Sequence, residues 1–350
     1  GKARKVKKMY IGVGGKARLC YSAELEKVGM AAALSTTRYD MRAATVGKYA
    51  LFAGGLARKS SFGYSVSSSV DAYNTSLTKS TPTELSCKRC GHAAASVGGY
   101  ALFAGGASSY NILGFYENLV SAVDAYDASL TRSAAHIIGV TVAIGGAAVG
   151  NYALFAGGTV YSQVNKDNVT SDVLAYDPSL TFTTAPLLSV ARANVKGASA
   201  GNYALFAGGR AGSFCTTVDA YNASLTRTTA TALSSTKNNS AAATVGNHAI
   251  FVGNTASADI YDASLTKTSA AILSTARTGL AATTVGDYAI FSGGGVADFC
   301  DASLTRSSIG TSMTGYDMGA ATIGDYALFA GGHSGEKSDT AYDSVEVYTA

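Results

Sequence analysis

Five basic residues recur at one position of a repeated pattern, each eleven residues before a copy of a heptapeptide: Arg38, Arg89, Arg192, Lys237 and Arg277. Thr141 and Gly315 take that position in two further copies. The three residues that follow differ in nearly every copy. Cations that recur beside variable side chains could attract an anionic or hydroxyl-rich ligand and select among candidates. The predicted ligand-contact residues here are Tyr39, Asp40, His92, Asn194, Lys196, Asn238, Asn239, Tyr316 and Asp317, together with the five basic residues. The alternative is that these are solvated turns, in which the basic side chains bridge neighbouring repeats.

One short segment has the residue types of a metal site. "CKRCGH" at 87–92 places Cys87, Cys90 and His92 within six residues. A structural zinc site needs four ligands, and the sequence has no second Cys-x-x-Cys pair. A local disulfide is the other possibility, but ordinary thiols are favoured. We expect no metal, no cofactor, no catalytic residues and no enzymatic activity, and we expect Cys300 to be a small buried residue.

The heptapeptide itself indicates the fold. "YALFAGG" occurs five times, and with the variants "HAIFVGN" and "YAIFSGG" it makes seven copies, 51, 52, 51, 45, 40 and 38 residues apart. Internal periods of this length are typical of β-propeller blades. Each copy follows a run of small residues and precedes a "VDAYD"-like segment and a Thr/Ser-rich segment. We therefore predict an all-β, seven-bladed propeller of four-stranded antiparallel blades.

The two ends of the chain together supply the missing parts of one blade. "SVEVYTA" at 344–350 reads as a third strand without a fourth, and "EKVGMAAALS" at 26–35 as a fourth strand without the other three. We expect them to share the closing blade. "MYIGVGG" at 9–15 and "LCYSAEL" at 19–25 imitate strands once more. The two segments resemble the second and third strands of the repeat, and they would form either a separate hairpin or an incomplete eighth blade.

This pattern resembles the Kelch repeat, with its Gly doublet after the second strand and its Tyr in the third. The resemblance covers about residues 19–350 and implies a propeller with a binding role. The Trp that the Kelch repeat carries after the third strand is replaced by Leu. A Leu there can still fill the gap between blades, so the fold is expected to stand. The replacements are Leu77, Leu130, Leu180, Leu225, Leu265 and Leu304.

Differences between repeats are concentrated at one end of the predicted blades. From the Gly doublet to the next strand Tyr the separation is 18, 20, 18, 12, 7, 6 and 16 residues, whereas the other turns keep nearly fixed lengths. Insertions on one side of a repeat protein usually mark its binding side. The longer loops are rich in Tyr, Ser, Gly and Asn, as adaptable binding surfaces are. We add Tyr64, Tyr110, Tyr116 and Tyr161 to the candidate ligand contacts.

Charge is concentrated at the N-terminus. Residues 1–18 carry seven Lys/Arg and no acid, while the remainder has 20 basic against 23 acidic residues. The body therefore offers no broad basic surface, and nucleic acid is not an expected partner. We find no apolar run of the roughly 18 residues that a membrane span needs.

The basic segment, "GKARKVKKMYIGVGGKAR", resembles basic units found in tail-associated proteins of phages and prophages of Gram-positive bacteria. The resemblance implies attachment of residues 1–18 to a particle or baseplate through Lys5, Lys7, Lys8 and Tyr10, with residues 19–350 as the propeller. A short basic strand that alternates Val and Met/Tyr with Lys has unpaired edges suited to β-addition, which predicts a homo-oligomer or a larger assembly. The alternative is a basic arm that binds nucleic acid or an acidic surface.

The expected function is non-enzymatic binding or adhesion. A receptor-binding component of a phage tail or tail-like particle would recognise a host cell-surface glycan or protein. A Kelch-type adaptor that binds an acidic peptide, in the cytoplasm or at the cell surface, is the alternative. A glycan-active enzyme is a third possibility.

Overall fold

The computed structural model describes residues 8–13, 16–22, 25–60, 63–136, 139, 141–142, 144–160, 168–237, 241–335 and 340–350, with backbone alone at 8–22 and 58–60. In these residues no helix is long and apolar enough to cross a membrane. Seven four-stranded antiparallel sheets are formed. The innermost strand of each sheet contacts the innermost strand of the next, and the last contacts the first, so the sheets close into a ring. The predicted seven-bladed β-propeller is confirmed.

Blades 1 to 7 follow chain order, and in blades 1 to 6 the strands run outward from the axis. The innermost strands are β4 (Arg42–Val46), β10 (Ala93–Val97), β16 (Gly145–Val149), β20 (Lys196–Ala200), β26 (Ala241–Val245), β30 (Ala281–Val285) and β34 (Gly319–Ile323). The second strands are β5 (Tyr49–Ala53), β11 (Tyr100–Ala104), β17 (Tyr152–Ala156), β21 (Tyr203–Ala207), β27 (His248–Val252), β31 (Tyr288–Gly293) and β35 (Tyr326–Ala330).

The third strands are β8 (Val70–Asn74), β14 (Val123–Asp127), β18 (Val173–Tyr176), β24 (Val218–Asn222), β28 (Ser257–Tyr261), β32 (Val296–Asp301) and β36 (Val345–Thr349). The outer strands are β9 (Lys79–Ser80), β15 (Arg132–Ala134), β19 (Phe182–Ala185), β25 (Arg227–Ala230), β29 (Lys267–Ala271), β33 (Arg306–Gly310) and β3 (Glu26–Met30). Four short pairs lie outside the blades: β1 (Lys8–Val13) with β2 (Lys16–Ser22), β6 (Leu56–Ser60) with β7 (Gly63–Val66), β12 (Ala107–Tyr110) with β13 (Tyr116–Leu119), and β22 (Arg210–Ala211) with β23 (Ser213–Phe214).

Blade 7 is built from both ends of the chain, as predicted. Strand β3 pairs antiparallel with β36, from Glu26 opposite Thr349 to Met30 opposite Glu346. The preceding β1 and β2 pair with each other and form a separate two-stranded sheet. Of the two arrangements that the sequence allowed, the described residues form the separate hairpin. Strand β2 continues to Ser22, past the expected domain boundary at residue 18.

The repeated heptapeptide forms the contact between neighbouring blades. In blade 1, Leu51 and Phe52 are both fully buried and point to opposite faces of the sheet. Leu51 packs with Phe103 of blade 2, whereas Phe52 packs with Leu328 of blade 7. Identical interfaces accept identical residues, which is the physical reason for the repetition.

The six Leu residues that follow the third strands of blades 1 to 6 lie at left-handed backbone positions, with φ between 57° and 66°. Such a conformation is unfavourable for a branched side chain. Packing offsets this cost, since each of the Leu side chains contacts a hydrophobic cluster shared by two blades. The prediction that Leu fills this gap is confirmed.

Hydroxyl groups link the innermost strands around the axis. Thr45 Oγ1 donates to the Thr322 carbonyl at 2.8 Å, Ser96 Oγ to the Thr45 carbonyl at 2.7 Å, and Ser199 Oγ to the Ala148 carbonyl at 2.7 Å. Thr244, Thr284 and Thr322 each donate in the same way to the preceding blade. Blade 3 has Ala148 at this position. The described belt therefore contains six hydroxyl donors and lacks the one from blade 3 to blade 2.

Candidate functional site: the loop face

The two ends of the propeller differ in their connections. At one end, the turn face, the third strand of each of blades 1 to 6 ends in a side-chain-capped turn of one type. Asp127 Oδ1, for example, accepts hydrogen bonds from Ser129 N and Thr131 N, both at 2.9 Å. At the other end, the loop face, the chain leaves the second strand through a Gly doublet in every blade but blade 5, which has Gly253-Asn254. The pairs β6–β7, β12–β13 and β22–β23 form at this end. The repeat-specific insertions thus lie on a single face.

The Gly doublets join each blade to the crossover of the next. Gly55 N donates to the Arg89 carbonyl at 2.8 Å. A Cβ at Gly54 would lie 2.5 Å from that same oxygen, and the φ of Gly54 is 65°. Side chains are therefore excluded here by both space and backbone conformation.

The five recurring basic residues do not form an exposed rim. Arg38, Arg89 and Arg192 are fully buried and Lys237 is 5% exposed. Each binds the Asp of its own third strand: Arg38 to Asp71 at 2.6 Å, Arg89 to Asp124 at 2.5 Å, Arg192 to Asp219 at 2.8 Å, Lys237 to Asp259 at 3.5 Å, and Arg277 to Asp298. The expectation of a cationic rim that attracts ligand was wrong, because these charges are paired inside the blades.

Blades 3 and 7 lack the recurring basic residue, and their other replacements show why the ion pair is kept elsewhere. Blade 3 has Thr141 in place of the basic residue and Leu174 in place of the Asp, so both charges are absent together. Blade 7 has Gly315 in the basic position, and its acid, Glu346, binds Lys27 of β3 instead, at 2.5 Å. An unpaired buried charge is costly, which explains why cation and acid are kept or replaced as a pair.

The three variable positions after each basic residue have three different environments. The first position forms a backbone bridge to the chain beyond the Gly doublet, as Tyr39 does with Leu56. The second is left-handed, with φ of 50° at Asp40, 58° at Asn194 and 52° at Asp317. The third position is buried in the hydrophobic core, where Met41 is 1% exposed and Met318 is 6% exposed. Only part of the predicted variable surface therefore reaches solvent.

Several candidate residues do meet at the mouth of the axis. Asp40 and Asp317 come from adjacent blades, and Asp40 N donates to the Asp317 carbonyl at 3.0 Å. Arg42 Nη1 lies 3.0 Å from Asp40 Oδ1, and His333 Nε2 lies 3.1 Å from Asp317 Oδ2. We call Asp40, Arg42, Tyr116, Lys196, Asp317 and His333 the axial cluster. The sequence analysis missed Arg42 and His333, which lie outside the variable triplets.

The axial cluster has strong internal electrostatics. Burial and the charge of Arg42 lower the pKa of Lys196 to about 8, against the opposing effect of Asp317 and Asp40. Burial alone would raise the pKa of Asp317, but the hydrogen bond and charge of His333, with Lys196 and Arg42, hold it below its usual value. The cluster is a mixed-charge surface rather than a cationic one.

Three predicted tyrosines form a continuous row that leads into the axial cluster. The ring of Tyr64 lies 5.0 Å from that of Tyr110, which lies 5.1 Å from that of Tyr116. Tyr116 OH donates to Asp40 Oδ2 at 3.0 Å. Its ring crosses Gly91, where a Cβ would lie 2.7 Å from it. Burial raises the pKa of Tyr110 to about 12.

Pair β12–β13 also forms the wall of a cleft of about 380 Å³ on the loop face. Leu113, Phe115 and Leu119 of blade 2 line one side. The floor comes from blades 3 and 4, where Val142 bridges to Thr159 and Ala193 bridges to Arg210. Asn194 and Arg210 are exposed beside it. Only Asn194 and Tyr116 of these lining residues were predicted from the sequence.

The remaining candidates are His92, Tyr316 and the cysteines. His92 is fully buried, at the register position of Met41 and Met318, and so does not face a ligand. Cys87, Cys90 and Cys300 are free thiols, and Cys300 is buried as predicted. Among described residues no group of three or more His, Cys, Asp or Glu side chains is placed to hold a metal ion. Tyr316 lies beside His333, with 6.2 Å between ring centroids.

Some predicted residues lie outside the part of the chain that the structure describes. These are Lys5, Lys7, Tyr161, Asn238 and Asn239. Lys8 and Tyr10 belong to β1, of which the backbone alone is described.

Comparison with known proteins gives no family for this chain. No protein-family model matches it, and no curated protein matches it at a significant level.

Proposed function

We propose that this propeller is a non-enzymatic binding protein whose ligand docks on the loop face. The observation that carries the proposal is the contrast between the two faces. The insertions, the tyrosine row and the cleft share the loop face, while the turn face repeats one capped turn. Binding residues are commonly carried by variable loops on a rigid scaffold.

The state of the charged residues favours binding over catalysis. The five recurring cations, which were the best candidates for chemistry on an anionic substrate, are paired within the blades. Burial in such pairs gives them a structural role. The exposed polar groups of the axial cluster and of Asn194 and Arg210 suit recognition of a polar surface by hydrogen bonds and charge.

The proposed biological setting is a phage tail or tail-like particle of a Gram-positive host, where the propeller would bind a host cell-surface glycan or protein. The resemblance of residues 1–18 to tail-associated basic units supports this setting. The hairpin β1–β2 is separate from the ring, and a two-stranded sheet has unpaired edges that can add a strand from another chain. It would attach the propeller to the particle or to further copies.

Labelled protein tested against a panel of Gram-positive bacteria checks the receptor proposal. We expect saturable binding to a subset of strains, competed by unlabelled protein and retained after deletion of residues 1–23. Failure to bind any strain, with correct folding, would contradict it. Co-sedimentation with purified tail particles tests attachment, which that same deletion should abolish.

The Kelch-type adaptor remains a second candidate because of the repeat pattern. In that hypothesis the recurring Arg residues bind an acidic peptide, but these residues are buried and so cannot contact one.

A further inference from the structure

The cleft on the loop face has a wall of defined shape. The tip of β12–β13 is fixed by Asn111, whose Oδ1 accepts hydrogen bonds from Leu113 N and Phe115 N, both at 3.0 Å. Asn111 Nδ2 donates to Glu117 Oε1 at 2.8 Å. At its base, Tyr116 is held by Asp40. A wall held in this way needs little ordering when a ligand binds.

The same wall exposes large apolar side chains. Leu113 is 73%, Ile112 60% and Phe115 45% exposed. Three neighbouring apolar side chains on the rim of a concave site are unusual for a surface that faces only water. Floor residues Val142 and Ala193 are also apolar and buried. The wall also carries Glu117, whose carboxylate accepts the hydrogen bond from Asn111 Nδ2. The apolar side chains of the wall and floor suit an apolar group.

The opposite side of the cleft offers a positive charge. Arg210 Nε donates to the Gly212 carbonyl at 3.1 Å. Its terminal nitrogens have no hydrogen-bond or ion-pair partner among the described residues. The guanidinium is thus oriented by one bond and free to bind a carboxylate in a fork. The Asn194 side chain beside it is exposed and can supply a further hydrogen bond.

From these contacts we propose that the cleft binds an extended peptide segment of a protein partner, in which a large apolar side chain lies next to a carboxylate. This inference rests on the proposed function, and it assigns a protein segment rather than a glycan to the cleft. Leu113, Leu119 and Val142 are aliphatic and suit the apolar side chain of a peptide, whereas a sugar would have only Phe115 and Tyr116 of the lining to stack on. The carboxylate could belong to an Asp or Glu side chain or to a chain terminus.

Fluorescence polarisation with labelled octapeptides tests the proposal on the full chain. The probes carry Phe, Leu or Ile next to Asp or Glu, with matched Asn or Gln peptides. A second set places the apolar residue last, with a free or an amidated C-terminus. We expect the protein to bind the carboxylate-bearing peptides of one of the two sets, and to bind the matched neutral peptides of that set at least tenfold more weakly. The set that binds shows whether the cleft takes a side-chain carboxylate or a terminal one.

Four variants locate the site. Arg210→Gln and Phe115→Ser alter exposed side chains of the cleft and should each weaken peptide binding at least tenfold. Lys48→Gln on the turn face and Leu187→Ser on an outer edge are the matched charge and apolar controls, and both should bind as the unmodified protein does. Unchanged circular dichroism and melting temperature would confirm that all four fold.

The proposal is overturned if the acidic and neutral peptides bind equally, or if Arg210→Gln binds as tightly as the unmodified protein. Acidic glycans that bind in an Arg210-dependent manner would overturn the peptide assignment in favour of a sugar. Cell binding that persists in both cleft variants, without peptide binding, refutes this inference and leaves the proposed function standing. Cell binding that is insensitive to every loop-face change refutes the proposed function as well.

Discussion

Arg192 and Asp219 form a buried ion pair inside blade 4, with 2.8 Å between Nη1 and Oδ2 and no exposure of either side chain. Arg192 also donates from Nε to the Gly208 carbonyl at 2.8 Å and from Nη2 to the Phe206 carbonyl at 3.0 Å. The pair therefore ties the crossover to the Gly doublet and to the third strand. Its equivalents in blades 1, 2, 5 and 6 pair in the same way with Asp71, Asp124, Asp259 and Asp298 of the third strands.

Removing one member of this pair should destabilise the protein strongly. Arg192→Ala leaves Asp219 buried beside Arg227 alone and is expected to cost about 3–5 kcal/mol in free energy of unfolding. The double change Arg192→Thr with Asp219→Leu copies two of the blade 3 replacements and should recover part of that loss; blade 3 also has Phe182 at the position of Arg227, the second partner of Asp219. Urea denaturation of Arg192→Thr, Asp219→Leu and the double variant measures the coupling between the two sites. Additive losses would show that the pair is not a unit.

The hydroxyl belt offers a stabilising change. Ala148→Thr should place a hydroxyl within reach of the Ser96 carbonyl, by analogy with the Ser199–Ala148 contact one blade further on. One hydrogen bond of this kind contributes about 0.5–1.5 kcal/mol. Ala148→Val has the same shape without the hydroxyl and is the control. Equal melting temperatures for the Thr and Val variants would count against a missing seventh donor.

His92 should make the fold sensitive to acid. It is fully buried and neither ring nitrogen makes a hydrogen bond. Burial, with the charges of Arg42 and Arg89, holds its pKa well below the usual value. Below about pH 6.5 the unfolded chain binds a proton at this residue and the folded chain does not. Stability therefore falls as pH falls, by at most about 1.4 kcal/mol per pH unit.

Replacement of His92 tests this directly. His92→Met copies Met41 and Met318 at the same register and should raise stability at neutral pH while flattening its slope between pH 6.5 and 4.5. The control is His136→Gln, since His136 is exposed. Denaturation midpoints measured across this range would refute the assignment if the His92 variant kept the slope of the unmodified protein.

Removal of the N-terminal hairpin separates attachment from folding. Deletion of residues 1–23 spares Leu25, which is 3% exposed in the core of blades 6 and 7, and spares β3. The truncated protein should melt as the full chain does. Deletion of residues 1–30 also removes β3 and the Lys27–Glu346 ion pair, and should lower the melting temperature markedly. Equal losses in both would place the hairpin within the folding unit.

Repetition made the fold predictable, whereas the site depends on relationships that no single repeat displays. Seven registered copies of one heptapeptide defined the blade, its strand order and the closing of blade 7. The burial of Arg192 could have been inferred from the joint replacement at Thr141 and Leu174, which the sequence analysis did not compare. The path of β12–β13 could not, because this insertion has no counterpart of equal length, and its tertiary contacts with Asp40, Tyr64 and Gly91 fix it.

Cell binding by variants of the two faces determines which face of the propeller carries the ligand site. Leu113→Glu with Phe115→Glu places charge on the loop face, and Lys48→Glu with Asn247→Glu does so on the turn face, at exposed positions. With melting temperatures matched, we expect the loop-face variant to bind susceptible cells at least tenfold more weakly while the turn-face variant binds normally. Loss of binding by the turn-face variant alone would contradict this expectation.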